Sequence, residues 1–132
     1  MEPQQGDIFW VDIPQAQTEG PEQFGRRPFI VMSRLAVNRT VGTVIVVPLT
    51  TFGGHVGDEA AIASQPPHRI VIPASEITKD PCSNSQISPV SVAKTDQTRV
   101  IAKTRLQQKL GRLSQTAVIA VGAGLAFVFD IR

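Results

Sequence analysis

Short apolar runs separated by turn-forming residues predict a chain built mainly from β-strands. Residues 6–13 alternate between apolar and polar positions and end at Pro14, and residues 27–34 and 43–50 are rich in β-branched side chains. Residues 44–47 are apolar on both faces, which predicts a central strand. We expect further strands over residues 69–72, 89–94 and 107–113, whereas residues 98–106 fit either a turn or a strand.

The C-terminal pattern changes to that of a helix. Ser114 is a suitable N-cap, and residues 117–121 and 125–129 are almost wholly apolar. Gly122 and Gly124 would each cost about 1 kcal/mol inside a helix. They therefore either permit a close backbone contact or end the helix, with residues 125–129 continuing as a strand. We favour the helix.

A helix with almost no polar face needs more than one covering surface. A small barrel buries one stripe of it, and a twofold-related subunit supplies the second surface most simply. The pattern therefore predicts a homodimer to which this segment contributes, and the alternative is a segment wholly buried within one subunit.

These elements predict a mainly β fold with accessory α structure: five or six short strands in a small, strongly bent antiparallel sheet or partly open barrel, followed by a C-terminal helix. We assign residues 1–132 to a single domain, and an apolar fraction of 42% is ordinary for a globular protein. No leader and no bilayer-spanning run is present, so we expect a cytoplasmic protein without a membrane partner. One cysteine and two histidines indicate no disulfide, no metal site and no cofactor.

Charge is distributed unevenly along the chain. Residues 1–22 hold five acids and no base, residues 23–57 hold four arginines and no acid, and residues 94–112 hold six bases and one acid. Two basic segments favour a polyanionic partner, most commonly nucleic acid. A solvated basic face is an equally weighted interpretation.

Two arginines stand where a polar loop, residues 15–25, meets a buried strand. Pro28 biases Arg27 toward an extended backbone, and a guanidinium presents a planar fork of donors that suits a phosphate. An antiparallel hairpin of the two following strands places Arg27 opposite Thr50 on one side of the sheet and Arg26 on the other. A cation and a hydroxyl would then meet at one end of the hairpin, although arginines at such boundaries are commonly solvated surface charge.

Five sequence blocks spread over nearly the whole chain form a recognisable pattern. They are Gly6-Asp7-Ile8-Phe9-Trp10-Val11-Asp12, Glu22-Gln23-Phe24-Gly25-Arg26-Arg27-Pro28, Val47-Pro48-Leu49-Thr50-Thr51, Asp96-Gln97 and Leu110-Gly111-Arg112-Leu113-Ser114. In residues and order they resemble the MazF/PemK toxins of bacterial type II toxin–antitoxin modules, which are sequence-selective endoribonucleases. The resemblance implies an SH3-like or CcdB-like barrel, a homodimer and an acidic antitoxin protein as partner. It also implies metal-independent cleavage of single-stranded RNA by attack of a ribose 2′-OH on the adjacent phosphate.

The resemblance also implies site residues. Arg27 and Thr50 correspond to the pair that stabilises the phosphate, and Asp96 to a possible base. We assign substrate binding to Glu22, Gln23, Phe24, Arg26, Thr51, Lys94 and Gln97. On a continuing strand Lys94 and Asp96 would share a face, and the lysine would keep the carboxylate ionised unless the two form an ordinary surface ion pair.

The chain departs from the PemK pattern at two positions. Pro21 stands where PemK-like chains have a histidine, and Lys94 stands where they have an arginine, so no histidine acid or base is available at the first position. Phe24 is a better candidate than Trp10 for stacking on unpaired bases, because Trp10 fits the core. His55 fits a solvated loop histidine better than an acid or an RNA contact.

Two other functions fit the same fold. A CcdB-like poison of DNA gyrase would cut nothing, but that family ends in tryptophan-glycine-isoleucine, whereas this chain ends in Phe129-Asp130-Ile131-Arg132. A catalytically inactive RNA-binding or regulatory module would need only the basic segments.

Overall fold

The computed structural model describes residues 2–22, 24–51, 64–81 and 90–131. The expectations for Gln23, for His55 and for most of the two polar loops around residues 52–67 and 80–85 lie outside these ranges. The described residues form eight strands: β1 (Asp7–Ile13), β2 (Gly25–Val31), β3 (Thr43–Thr51), β4 (Arg69–Pro73), β5 (Ile77–Lys79), β6 (Val90–Lys94), β7 (Arg99–Ala102) and β8 (Lys109–Leu113).

Helices connect and close this set of strands. The α-helices are α1 (Leu35–Asn38) and α2 (Gln115–Phe129). Short 3₁₀ helices cover Gln15–Gln17, Ala74–Glu76, Thr95–Gln97 and Lys103–Arg105. The structure thus has more strands than the five or six predicted, because β5 was not predicted and β7 lies in the segment that fits either a turn or a strand.

The strands form one bent antiparallel sheet with the order β4-β6-β3-β2-β1-β8-β5, and β7 also pairs with β3. Strand β3 is long enough to pair with β2 and β7 at one end and with β6 at the other. Its central position was predicted correctly, although Ile45 within it is 41% exposed. The result is a partly open barrel with a C-terminal helix, so the predicted fold class is confirmed.

The core is divided by the sheet into two main clusters. One lies between the sheet and α2 and includes Ile8, Ile30, Val47, Leu113 and Val121. The other lies on the opposite face and is built around Phe29, with other buried aliphatic side chains of β1, β2 and β3. Alternate residues of β2 therefore point into different clusters, which fixes the register of the strand strongly because a slip by one residue would exchange the two faces.

Helix α2 is continuous through its two glycines, so the strand alternative for residues 125–129 is wrong. Ser114 is the N-cap, and its Oγ accepts a hydrogen bond from the Ala117 N–H at 3.1 Å. A Cβ on Gly124 would lie 3.0 Å from side-chain atoms of Ile70 and Thr95, whereas one on Gly122 would meet nothing within 4 Å. Gly124 thus permits close docking of α2 on β4 and on the Thr95–Gln97 turn.

The opposite side of α2 is apolar and exposed. Ile119 and Phe129 are each 64% exposed, and Phe127 is 57% exposed. The alternative of a segment wholly buried within one subunit is therefore wrong. None of the helices in the described ranges is long and apolar enough to cross a membrane.

Candidate functional site

A cavity of about 220 Å³ opens at the end of the β2–β3 hairpin. Residues of β1, β2, β3, β6 and β8 line it: Ile8, Trp10, Arg26, Arg27, Pro28, Leu49, Thr50, Thr51, Ser91 and Leu110. The lining combines an apolar floor, two guanidinium groups and three hydroxyl groups, and none of its residues is acidic. This composition suits an anionic group attached to a planar apolar one.

Strand register brings Arg27 and Thr50 to this cavity. The structure pairs Phe29 with Pro48 and Ile30 with Val47, which confirms the predicted register of the hairpin. Arg27 and Thr50 lie beyond the last of these pairs, where Arg27 pairs with Val11 of β1 and Thr50 with Val92 of β6, and both line the cavity. The Arg27 Nε donates a hydrogen bond to the Phe24 carbonyl oxygen at 2.9 Å. This bond fixes the guanidinium, whose two terminal nitrogens have no hydrogen-bond partner among the described residues.

Arg26 also lines the cavity, so the expectation that it points away from the site is wrong. Its guanidinium carbon lies 4.3 Å from the ring centroid of Trp10, which is cation–π geometry. Its Nε donates to the Gln107 side-chain oxygen at 3.3 Å. Trp10 packs against the core and also lines the cavity. The prediction that it is a core residue is therefore only partly correct.

Arg69 is a candidate site residue that the sequence interpretation missed. It stands directly opposite Lys94 in the β4–β6 ladder. Lys94 is half-buried, and its pKa is lowered, first by desolvation and then by the charges of Arg69 and Arg27. Lys94 is therefore close enough to both arginines to respond to their charges. In the sequence, Arg69 begins one predicted strand and Lys94 ends another, 25 residues later. Only the pairing of β4 with β6 shows that the two side chains are neighbours.

Asp96 does not lie on a strand with Lys94, so that prediction is wrong. Strand β6 ends at Lys94, and the Thr95–Gln97 turn follows because the backbone N–H and the hydroxyl of Thr95 both donate to the His68 carbonyl oxygen. Asp96 pairs with Arg69 through Nε to Oδ1 at 3.1 Å and Nη2 to Oδ2 at 3.4 Å.

The Arg69 contact sets the charge of Asp96. Partial burial acts to raise the pKa of the Asp96 carboxyl, but the hydrogen bond and the charge of Arg69 outweigh it, and the pKa is lowered. The partner that holds this carboxylate ionised is therefore Arg69 and not the predicted Lys94.

Asp96 does not line the cavity but lines a separate depression of about 410 Å³. Glu22, Gln97, Thr98, Arg99 and Val100 complete its lining. The structure thus divides the predicted residues: Arg26, Arg27, Thr50 and Thr51 share the cavity, while Glu22, Asp96 and Gln97 share the depression. Lys94 links the two groups electrostatically, since its pKa responds to both Arg27 and Asp96.

The polar loop over residues 15–25 contributes to the depression and contacts one arginine of the cavity. Glu22 lines the depression, and Phe24 is 39% exposed next to the hydrogen bond with Arg27. Ser91, which pairs with Thr51, lines the cavity and was not predicted. In the described part of the chain, histidine, cysteine and acidic residues do not form a group of three or more that could hold a metal ion.

Comparison with known proteins identifies the family. Residues 4–129 match the model of the PemK-like, MazF-like toxins of type II toxin–antitoxin systems. The chain belongs to this family. The MazF/PemK resemblance of the five sequence blocks is thereby confirmed.

The MazF-like chain is similar to individual proteins of the same kind. It is 43% identical over 49 residues to the endoribonuclease toxin MazF of Escherichia coli K12, which is 37% of this chain and 42% of the relative's length. Crystalline MazF from Deinococcus radiodurans shares the fold with a TM-score of 0.70 and 20% identity, covering 99% of both chains. A mycobacterial endoribonuclease in complex with its cognate antitoxin has a TM-score of 0.65 and 18% identity, covering 98% of this chain and 97% of the other.

Proposed function

We propose that this MazF-like toxin is a sequence-selective, metal-independent endoribonuclease that cleaves single-stranded RNA. The observation that carries the proposal is the convergence of Arg27 and Thr50 on one cavity whose lining contains no acidic residue. E. coli MazF, the relative similar over 49 residues, carries the name of endoribonuclease toxin. Family membership and site chemistry therefore support the same activity.

The reaction forms a bond between a ribose 2′ oxygen and phosphorus and breaks the bond from phosphorus to the 5′ oxygen. Negative charge builds on the non-bridging phosphate oxygens in the transition state. The free terminal nitrogens of Arg27 and the hydroxyl of Thr50 stabilise that charge, and such donors raise the rate because their contacts strengthen as the charge develops. The 5′ oxygen leaves and takes a proton from water.

Asp96 accepts the proton of the 2′-OH in this proposal. Its lowered pKa keeps the carboxylate ionised at neutral pH, so it is ready to accept a proton, and Arg69 orients it through two hydrogen bonds. Lys94, whose pKa responds to the charges of both Arg27 and Asp96, contributes a cation for the substrate phosphate. Arg69 thus acts through Asp96 and is a positioning residue.

The remaining assigned residues bind the substrate around the reacting phosphate. Thr51 and Arg26 extend the cavity wall, and the stack of Arg26 on Trp10 offers a flat surface for a base. Phe24 is exposed beside the cavity and suits stacking on an unpaired base, while Glu22 and Gln97 offer polar groups in the depression for recognition of base edges. Gln23 is assigned to substrate binding by its place in the motif alone.

Incubation of the purified protein with single-stranded RNA in EDTA tests the activity. Cleavage in the presence of the chelator is expected, because the proposed chemistry uses side chains alone. Binding without cleavage would contradict the nuclease and select an RNA-binding module, whereas neither binding nor cleavage would favour a poison of the CcdB type.

An acidic antitoxin protein is the expected protein partner. The mycobacterial neighbour forms a complex with its cognate antitoxin, and the cationic site of the present chain suits an acidic segment that covers it. Such a segment should compete with RNA. Competition binding in which both ligands occupy the protein together would contradict a shared site.

A second copy of this chain is the expected cover for the exposed side of α2. An exposed apolar face of this kind on a small protein marks an interface. A twofold-related copy would bury this face against the same face of its partner. Sedimentation at micromolar concentration should therefore give a dimer, and Ile119→Glu should give a folded monomer. A wild-type monomer would contradict this proposal.

A further inference from the structure

Most of the cavity lining belongs to one face of the sheet. Ile8, Leu49 and Leu110 form its floor and are also members of the core cluster beneath α2. Side chains alternate along a strand, and residues paired across antiparallel strands point to the same side. Thr51, two residues after Leu49, and Ser91, its partner on β6, therefore lie on this same face. The cavity is thus the open end of a core cluster, with two hydroxyl groups set into an apolar wall.

Ser91 is a buried polar residue without a hydrogen-bond partner in the described ranges. Only 3% of it is exposed, and it lines the cavity. Its neighbour across β4 is Ile72, a residue of the same core cluster, so nothing polar faces it from that strand. Burying an unpaired hydroxyl costs folding free energy, and a ligand that completes the bond is one reason to retain such a group.

The side chains of the lining can donate more hydrogen bonds than they can accept. The guanidinium groups of Arg26 and Arg27 are donors only. The hydroxyl groups of Thr50, Thr51 and Ser91 can donate or accept, and none of the described lining residues carries a carboxylate or an amide side chain. Uracil has the O4 acceptor of thymine and guanine has O6, where cytosine and adenine present amino donors. The polar part of the lining therefore matches the two keto bases, uracil and guanine.

The size and shape of the cavity suit one base. Its volume of about 220 Å³ lies below the roughly 300–1,000 Å³ of pockets for drug-sized molecules, which suits a single ring system better than a whole nucleotide. The guanidinium of Arg26, 4.3 Å from the ring centroid of Trp10, adds a flat surface of the kind on which unpaired bases stack.

The base and phosphate positions are neighbours in the chain. Thr51 follows Thr50 directly, as Arg27 follows Arg26, and consecutive Cα atoms are roughly 3.8 Å apart. A base held by the face that carries Thr51 and Arg26 would therefore lie next to a phosphate held by Thr50 and Arg27.

We propose that the cavity is a recognition site for one unstacked keto base next to the cleaved phosphate, and that the Ser91 hydroxyl donates to its carbonyl oxygen. The proposal rests on the proposed endoribonuclease function and names the base class that its sequence selectivity would read. Ser91 is then a specificity-determining residue, while Arg27 and Thr50 act on the phosphate. A carboxylate of a protein partner fits less well, because the apolar floor would desolvate its charge, whereas a base is neutral and has apolar faces.

Trp10 gives a direct readout of cavity occupation, because it is the single tryptophan of the chain and lines the cavity. The probes are 2′-fluoro oligonucleotides of about eight nucleotides, which lack the attacking hydroxyl and are not cleaved. One pair consists of uridine or cytidine throughout, and a second pair carries a single guanosine or adenosine within a run of cytidine. The keto member of at least one pair should quench Trp10 fluorescence and bind roughly fivefold more tightly than its amino counterpart, as expected for one hydrogen bond.

Ser91→Ala should abolish this preference by weakening the keto probe to the level of the amino probe, whose affinity should not change. Ser75→Ala is the matched control, because it removes an exposed hydroxyl from the Ala74–Glu76 turn outside the cavity, and it should keep the full preference. Urea unfolding supplies a readout that a structural role would move. Ser91→Ala should be at least as stable as the wild type, since its hydroxyl has no partner to lose.

Equal affinities within both probe pairs, or a preference that survives in Ser91→Ala, would overturn the proposal. A clear loss of stability in Ser91→Ala would also overturn it, because the hydroxyl would then be bonded within the protein. Quenching of Trp10 by a glutamate-rich peptide and by none of the probes would overturn it in favour of an acidic protein.

The same measurements separate the base site from the proposed function. If the wild type cuts unmodified RNA but shows no preference within either pair, the endoribonuclease function stands and the base site fails. If the wild type cuts no RNA while a preference that depends on Ser91 is measured, the endoribonuclease function fails and the base site stands.

Discussion

Arg27 and Thr50 are held by strand pairing, whereas Asp96 is held by one ion pair and a single 3₁₀ turn. The hairpin that carries Arg27 is locked by a register in which alternate residues enter two separate core clusters. The turn that carries Asp96 depends on the hydrogen bonds of Thr95 and on α2 packed against it. The positions of Arg27 and Thr50 are therefore fixed by the sheet, whereas the position of Asp96 depends on Arg69 and on the packing of α2.

Replacing Arg27, which is held by the sheet, should cause the largest loss of cleavage rate. Arg27→Ala is expected to lower the rate of RNA cleavage about a hundredfold or more, because an oxyanion-type donor is worth roughly 3 kcal/mol in the transition state. The fold should remain intact since the side chain contributes little burial. Arg26→Ala is the matched control, and we expect a milder loss because its guanidinium is already stacked on Trp10. Equal losses in single-turnover assays would show that the roles of the two arginines are assigned wrongly.

Asp96 and Arg69 should affect the rate of RNA cleavage as a single unit. Asp96→Asn is expected to lower the cleavage rate roughly a hundredfold if the carboxylate is the general base. Arg69→Gln should cause a smaller loss, and the double variant should be no worse than Asp96→Asn alone, because Arg69 acts through Asp96. Additive losses in this double-mutant cycle would mean that Arg69 contacts the substrate independently.

The pH dependence of the cleavage rate tests whether Arg69 acts through Asp96. In the wild type the lowered pKa of Asp96 places the acid limb of activity at low pH. Arg69→Gln removes the hydrogen bond and the charge that lower this pKa while burial still acts to raise it, so the acid limb should move to higher pH. An unmoved limb with reduced rate would contradict the positioning role.

Folding stability should follow the same pKa. Because the pKa of Asp96 is depressed in the folded state, the stability contributed by the pair is present above the unfolded-state pKa. It is lost as the pH falls through the folded-state value. Urea unfolding of the wild type and of Arg69→Gln across the acid range measures this loss.

Two glycines of α2 provide the smallest and most local comparison. Gly124→Ala should destabilise the protein by about 1–3 kcal/mol, because the added methyl group meets Ile70 and Thr95 at 3.0 Å. Gly122→Ala should instead stabilise it by about 1 kcal/mol, because the site is open and alanine favours helix. Denaturant unfolding measures both. If Gly124→Ala also lowers the cleavage rate by moving the Asp96 turn, the dependence of the turn on α2 is supported.

The difference between the two halves also explains what the sequence could predict. The hairpin register followed from local pattern, because two apolar strands joined by a short connection leave few pairings, even though α1 and not a simple turn occupies that connection. The end of β6 at Lys94 depends on Thr95 bonding to His68 and on Gly124 docking from a distant helix. Such tertiary contacts leave no signal in the periodicity around Asp96, and for the same reason Arg69 was missed.

The central claim is that the hairpin register directs Arg27 and Thr50 to one phosphate. Its most direct test is a double-mutant cycle on the single-turnover rate of RNA cleavage in EDTA, with Arg27→Ala, Thr50→Val and the combination of both. Thr50→Val keeps the side-chain shape and removes the donor. A shared phosphate predicts that each single variant is strongly impaired and that the double variant loses less than the product of the two losses. An unaffected rate in Thr50→Val, or fully independent losses, would contradict the claim.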